Sequence, residues 1–289
     1  MGESQTYCPP QDRNAFVLVY PQIDPVAVSL GPLKIHWYGL MYLLAFATGY
    51  ALALWRIRRS NSGWTADMVS DLVFYVAMGV IIGGRLGYVV FYGFDRLVDD
   101  PLWALRVWEG GMSFHGGLLG VLAAVFVFCH QYRSSWVDVM DFVAPLIPTG
   151  LLFGRIGNFI GGELWGRAVI DPTYRFGMVF PHVDNLLRHP SQLYEAVLEG
   201  LVLFVLLWWY SAKPRPRMAV SGLFLIGYGV ARFVVEFFRQ PDADKGFILF
   251  DWMTMGQILT TPMILTGLVL MLLAYRNDRL NPRSGVSAS

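Results

Sequence analysis

Seven apolar runs, separated by short polar stretches, divide the chain. A bilayer core takes about 20 apolar residues in a helix. By that ruler the runs fall at Ile35–Trp55, Leu72–Phe94, Met112–Cys129, Phe142–Ile160, Leu193–Ala212, Met218–Phe238 and Trp252–Tyr275. Glycines inside them, and Pro145 and Pro148 in the fourth, are tolerable because neighbouring helices satisfy freed backbone groups. The stretch from 161 to 192 is too long for a tight turn and reads as an external segment or lid between the fourth and fifth spans. The pattern predicts an all-α, polytopic integral membrane protein with seven transmembrane helices. An N-terminal segment occupies 1–34, the helical domain 35–275 and a tail 276–289. No internal repeat or low-complexity segment is evident.

The arginines and lysines of the short loops set the orientation. Arg56, Arg58 and Arg59 follow the first span, Lys213, Arg215 and Arg217 follow the fifth, and Arg276, Arg279 and Arg283 follow the seventh. All three groups fall on one side, read as cytoplasmic. The N-terminus is then outside and the C-terminus inside. The opening residues, "MGESQTYCPPQDRNAF", lack the basic and apolar regions of a cleavable signal peptide, so insertion relies on the internal spans.

Composition agrees with this picture. Of 289 residues, 55% are hydrophobic and only 15% charged, against roughly 25% charged in soluble domains. A net charge of +1 without a polybasic run argues against nucleic acid as a partner. The two cysteines, Cys8 and Cys129, have neither the number nor the spacing of a disulfide framework or a zinc site. No His, Cys or carboxylate cluster has metal-ligand spacing, so neither metal nor other cofactor is expected.

Charged groups inside membrane spans change the picture most, because each is a functional-site candidate by default. On the predicted topology, Arg85, Arg155 and Arg232 lie toward the outer ends of spans two, four and six, and His115 lies near the outer start of span three. Four helices thus bring an ionisable group to one depth. Tyr228, Arg232, Glu236 and Arg239 follow a helical spacing, as do Arg85, Tyr88 and Tyr92, and Asn158 lies three residues after Arg155. Glu236 partly neutralises Arg232, whereas Arg85 and Arg155 have no matching intramembrane acid on this reading. For Glu195 and Glu199, one turn apart, the bland reading is a pair of caps on the dipole at the start of span five. Surplus buried guanidinium calls for an anion, and phosphate suits its bidentate donors. Near an interface, that phosphate is a lipid head group. The bland alternatives are a snorkelling or carbonyl-bonded Arg85, an interfacial His115, and Tyr38 as an aromatic-belt anchor.

With these residues placed, the chain closely resembles the bacterial prolipoprotein diacylglyceryl transferases. The resemblance runs through "HWYGLMYL" (36–43), "GGRLGYVVFY" (83–92), "WEGGMSFHGGLLG" (108–120), "DFVAPLIPTGLLFGRIGNFIGGELWGR" (141–167), "RHPSQLYEAVLEG" (188–200) and "SGLFLIGYGVARFVVEFFRQPD" (221–242). It fades in the first twenty residues, in 168–186 and in the tail. It implies a seven-helix inner-membrane enzyme with a periplasmic N-terminus and a site toward the periplasm. It also implies transfer of the diacylglyceryl group of phosphatidylglycerol to the lipobox cysteine of a prolipoprotein signal peptide, leaving glycerol phosphate. On the matching motifs, Arg155 is the lipid-binding arginine, Arg232 the second essential arginine and His115 the histidine proposed as base. Tyr38, Asn158, Glu163, Gly166 and Glu236 also fall on positions implicated in activity. Gly161 departs from the family, standing where many members have asparagine.

Alkylating a thiol needs a thiolate, and a free thiol with a pKa of about 8.5 is mostly protonated at neutral pH. His115 has the side chain to take that proton. Arg155 and Arg232 can stabilise the leaving phosphate ester. The residues equally allow His115 to orient the phosphate while the arginines favour the thiolate. The nucleophilic cysteine belongs to the substrate. A rival from another class, a transporter using the arginines as a translocation site, fits poorly: its site would lie near the midplane of repeated halves.

Overall fold

The computed structural model describes residues 17–31, 33–59, 63–171, 173–241 and 246–280. Cys8, Arg283 and most of both terminal segments lie outside them. The chain opens with β1 (Leu18–Val19), β2 (Val26–Leu30) and β3 (Leu33–His36). Then come α1 (Trp37–Arg59), α2 (Ala66–Tyr92), the short α3 (Phe94–Asp99), two 3₁₀ turns at Pro101–Leu105 and Val107–Glu109, and α4 (Phe114–Gln131). α5 (Trp136–Val143) and α6 (Ile147–Ile160) follow. After β4 (Met178–Val179) and β5 (Leu187–Arg188), one long helix begins as α7 (Ser191–Glu195), passes through a π-helical stretch (Ala196–Val202) and ends as α8 (Leu203–Tyr210). α9 (Ala219–Val235) and α10 (Met255–Leu280) complete the fold.

Among the described residues, five helices are long and apolar enough to cross a membrane: α1, α2, α4, the α7–α8 helix and α10. α5 and α6 make a sixth span if the broken pair counts as one. Prolines 145 and 148 explain the break, since neither donates a backbone N–H. The run expected at 218–238 is a shorter apolar helix of 17 residues that ends at Val235, leaving Glu236 and Arg239 beyond it. The protein is thus a predominantly helical, multi-pass membrane protein.

Its backbone groups into two compact units, one running to Ala47 and resuming at Ala144, the other covering Thr48–Val143. In the Thr48–Val143 unit, α2 and α4 pack backbone to backbone. Gly79, Gly83 and Gly87 of α2 face Gly116 and Gly120 of α4, and a Cβ on Gly79 would sit 2.6 Å from the Gly120 carbonyl oxygen. Small residues four apart permit that approach where lipid gives helices no hydrophobic reason to associate. Thr65 caps α2 and Ser113 caps α4, each accepting from a backbone N–H three residues on. One end of this pair is sealed by Leu72, Val125, Phe128, Cys129 and Val139, with Trp64 stacked on Phe142 at 4.0 Å.

The other unit holds the remaining spans and two small sheets that hydropathy did not foreshadow. β2 and β3 form an antiparallel hairpin turned at Gly31, whose φ of +61° suits glycine. β1 pairs in parallel with β4, and β4 with β5, so the N-terminal segment is woven into the 161–192 segment. Tyr20, Met178 and Phe180 are buried there against Phe159 and Trp165, and the Tyr20 hydroxyl donates to the Ile160 carbonyl at 2.7 Å. The 161–192 segment is therefore a folded cap on the end of α6. Within the same unit, Ala144, Leu203, Leu207 and Val220 bury the contact of α8 with α9.

Candidate active site

Three helices of one unit carry several of the polar and charged residues singled out by sequence. α6 supplies Arg155 and Asn158, the α7–π stretch supplies Glu195 and Glu199, and α9 supplies Tyr228 and Arg232. Glycine sets their spacing: a Cβ on Gly200 would meet the Leu152 Cα at 2.8 Å, so α6 and the π stretch touch through backbone. A π stretch widens the helix and is frequent at functional sites; here it begins between the two glutamates.

Both glutamates are fully buried and both bind arginine. Arg155 Nε lies 3.2 Å from Glu195 Oε2, and its Nη2 lies 3.3 Å from Glu199 Oε2. Arg232 Nη1 bonds Glu195 Oε1, and its Nη2 lies 2.8 Å from Glu236 Oε2. Arg239 Nη1 reaches Glu195 Oε1 at 3.1 Å. Glu236 also accepts from the Thr254 hydroxyl at 2.9 Å and packs against Gly256. These contacts correct the reading of Glu195 and Glu199 as dipole caps and the premise of unmatched guanidinium. Three carboxylates balance three guanidiniums, as burial in a low-dielectric interior requires.

The balance is layered. Glu195 and Glu199 side chains are 0% exposed, whereas those of Arg155, Arg232 and Arg239 are 18%, 13% and 13% exposed. Accessible donors thus lie over buried acceptors. Arg155 Nη1 has no acceptor among the described residues. The face open to a ligand is a guanidinium face, suited to an anion through hydrogen-bond geometry rather than net charge. Tyr228 stacks on Phe224 one turn before Arg232, at the edge of this layer.

Around Arg155, the other expected residues assemble in part. Tyr38, in the first turn of α1, lies against Gly157 at 3.1 Å from where a Cβ would be, and its hydroxyl meets that of Tyr42 at 3.3 Å. Asn158 donates to Glu163 Oε1 at 2.8 Å. Gly166 is a different kind of residue. A Cβ there would collide with the Phe238 and His189 carbonyls, and its N–H donates to His189 at 2.8 Å. That is a position of close backbone approach. Arg167 completes the junction, donating through Nε to the Arg239 carbonyl at 2.8 Å while its N–H binds the Phe238 carbonyl at 2.9 Å. Burial pushes the Arg167 guanidinium below its ordinary value, with Glu236 opposing the shift.

Arg85 and His115 belong to the Thr48–Val143 unit. Arg85 is buried, and four of its five N–H donors are taken by backbone carbonyls. It donates to the carbonyls of Ala104 at 3.0 Å, Trp103 at 2.6 Å, Gly111 at 3.3 Å and Gly110, with its guanidinium 4.6 Å from the Trp103 ring. It clamps the 103–111 loop through these four backbone acceptors. His115, second residue of α4, is exposed, lies beside the Phe114 ring and has no hydrogen-bond partner among the described residues.

Sequence reasoning also passed over Ser191, Gln192 and Thr254, which are buried and bonded in this region. The signal for the glutamates was present. Two acids four residues apart in an apolar span carry the same desolvation cost as the arginines that drew attention.

A family model for prolipoprotein diacylglyceryl transferase matches residues 25–273. Curated relatives named phosphatidylglycerol–prolipoprotein diacylglyceryl transferase include those of Acinetobacter baumannii, Acinetobacter baylyi and Psychrobacter arcticus. The A. baumannii protein is 65% identical over 261 residues, which is 90% of this chain and 96% of the relative. The A. baylyi protein is 64% identical, covering 90% and 95%. The P. arcticus protein is 55% identical, covering 90% and 96%. With the family model spanning all the spans and the arginine–glutamate layers, the chain belongs to the prolipoprotein diacylglyceryl transferase family.

Proposed function

We propose that this protein transfers the diacylglyceryl group of phosphatidylglycerol to the lipobox cysteine of a prolipoprotein signal peptide. The observation that carries the proposal is the accessible guanidinium layer of Arg155, Arg232 and Arg239 over buried glutamates, inside a chain of this family. The cysteine sulfur attacks the glyceryl carbon and a thioether C–S bond forms. The C–O bond to phosphate breaks with its electron pair on oxygen, and glycerol phosphate leaves. Arg155 and Arg232 bind the phosphate and stabilise the charge gathering on it, an interaction strongest in a water-poor site. Their carboxylate partners fix both forks, so little reorganisation accompanies the charge shift. His115 takes the thiol proton, in keeping with its exposed, unbonded ring. Asn158, Glu163, Tyr38, Tyr228, Glu236 and Arg239 surround the head group, while Gly166 shapes the backbone beneath it and Arg85 holds its loop.

Seven spans complete the reading: the five long helices, the broken α5–α6 pair and α9. The N-terminus and the folded cap face the periplasm, the arginine-rich loops face the cytoplasm, and the membrane is the bacterial inner membrane. Both substrates reach the site from the bilayer, the signal peptide entering sideways between helices.

Reconstitution in phosphatidylglycerol vesicles with a lipobox peptide tests this directly. Wild type releases glycerol phosphate, and Arg155→Ala loses about a hundredfold or more, the scale of one oxyanion donor. Equal activity of the two removes the assignment. His115→Gln with undiminished turnover from about pH 6 to 9 removes the base.

A further inference from the structure

The turn between α6 and the cap is held in an unusual way. Leu164 has a φ of +60°, a left-handed conformation that a leucine rarely adopts, two residues after Gly162 at +67°. A strained residue persists only where its surroundings over-determine it, and such residues cluster at active sites. Here the surroundings are two side chains. The Gln192 amide donates to the Glu163 carbonyl at 2.6 Å, and the Ser191 hydroxyl donates to the Leu164 carbonyl at 2.9 Å. Both residues are 0% exposed. They are the first two of α7, the helix that ends on Glu195.

The far side of the turn is tied to α6. The Glu163 N–H donates to the Asn158 carbonyl at 3.1 Å, and Asn158 Nδ2 donates to Glu163 Oε1 at 2.8 Å. The strained turn thus delivers an exposed carboxylate to an amide one turn from Arg155. Gln192 Oε1 is buried and accepts nothing among the described residues. An orphaned buried acceptor is costly and calls for an explanation. The explanation on hand is that the side chain is retained for its N–H.

We propose that Ser191 and Gln192 are positioning residues for diacylglyceryl transfer: they hold the left-handed turn at Leu164 so that Glu163 stays on Asn158 beside Arg155. The proposal rests on the reading of this site as the one that binds the lipid head group. Neither residue touches the reacting atoms; both act through Glu163.

The test is a mutant cycle on the full-length enzyme in phosphatidylglycerol vesicles, reading glycerol phosphate released with a lipobox peptide. Gln192→Leu and Ser191→Ala each lower kcat/KM by between about tenfold and a hundredfold, the cost of a misplaced group. In a Glu163→Ala background neither lowers it further, because the group they position is already gone. Leu164→Gly, which accepts a positive φ freely, restores most of the activity of Gln192→Leu. Should Gln192→Leu fold poorly, Ser191→Ala removes only a hydroxyl and carries the same cycle. Losses that multiply in the Glu163→Ala background, no loss from either clamp variant, or no rescue by Leu164→Gly each overturn the positioning role. A wild type that releases no glycerol phosphate overturns instead the functional reading beneath it.

Discussion

At the scale of single residues, the distinction that matters is between a charge that is matched and a charge that is available. Arg85 is matched by four carbonyls and holds a loop. Arg155 and Arg232 are matched by glutamates behind them and remain available in front. Glu195 is the hinge of this arrangement, since it contacts Arg155, Arg232 and Arg239 from a fully buried position. Removing one partner of a buried ion pair costs about 3–5 kcal/mol, because the remaining charge is left uncompensated. Glu195→Ala is therefore expected to lower the unfolding free energy of the purified protein by that order, read as an earlier denaturant midpoint, as well as its activity. A variant as stable as wild type would mean that the three arginines do not depend on it. Arg155→Lys keeps the charge but loses the fork, so it should behave like Arg155→Ala in transfer while remaining folded.

At the scale of elements, glycine contacts and one folded cap decide what the helices can present. α2 and α4 meet at Gly79, Gly83, Gly87, Gly116 and Gly120, and a Cβ on Gly87 would lie 2.7 Å from the Gly116 Cα. Gly83→Val must push two backbones apart, and overpacking of this kind costs about 1–3 kcal/mol. Its thermal unfolding in detergent should come earlier, whereas Gly49→Ala, with open space at its Cβ, should match wild type. The cap carries a pH dependence of its own. Burial holds the His189 imidazole below its ordinary value, and bonds from Arg188 and the Leu186 N–H hold Asp184 below the usual carboxylate range. In both cases the unfolded chain binds protons more readily than the folded one, so stability rises with pH. Acidification from neutrality first removes the His189 contribution, below the ordinary imidazole pKa of about 6.5. The Asp184 contribution, present above about pH 3.9, goes as pH falls through its depressed folded value. His189→Asn should flatten the loss of stability in the upper window alone, as followed by unfolding midpoints at a series of pH values.

At the scale of the whole molecule, membrane orientation decides which face of the site meets which compartment. The proposed topology puts the cap outside and the arginine-rich 213–217 loop inside. In a cysteine-free background, a membrane-impermeant maleimide added to intact cells should label Thr173→Cys and spare Ser211→Cys. The reverse pattern would invert the protein and place its site on the cytoplasmic side. Labelling of both without permeabilisation would break the two-sided arrangement altogether.

Much of this molecule is legible without coordinates, because membrane crossing is a problem of length and solvation that each helix solves locally. Apolar runs locate α1, α2, α4, the α7–α8 helix and α10 to within a few residues. The motif around "GRIGN" locates Arg155, and the price of burying any charge marks Arg232. The π stretch, the helix break between α5 and α6, the strands of the cap and the partners of each charge are not local. They depend on which backbone atoms and side chains distant segments bring within about 3 Å of one another. Hydropathy could not tell the loop-holding Arg85 from the glutamate-paired Arg155, because both are arginines in apolar helices. Only the tertiary structure separates them, by supplying carbonyls to one and buried carboxylates to the other.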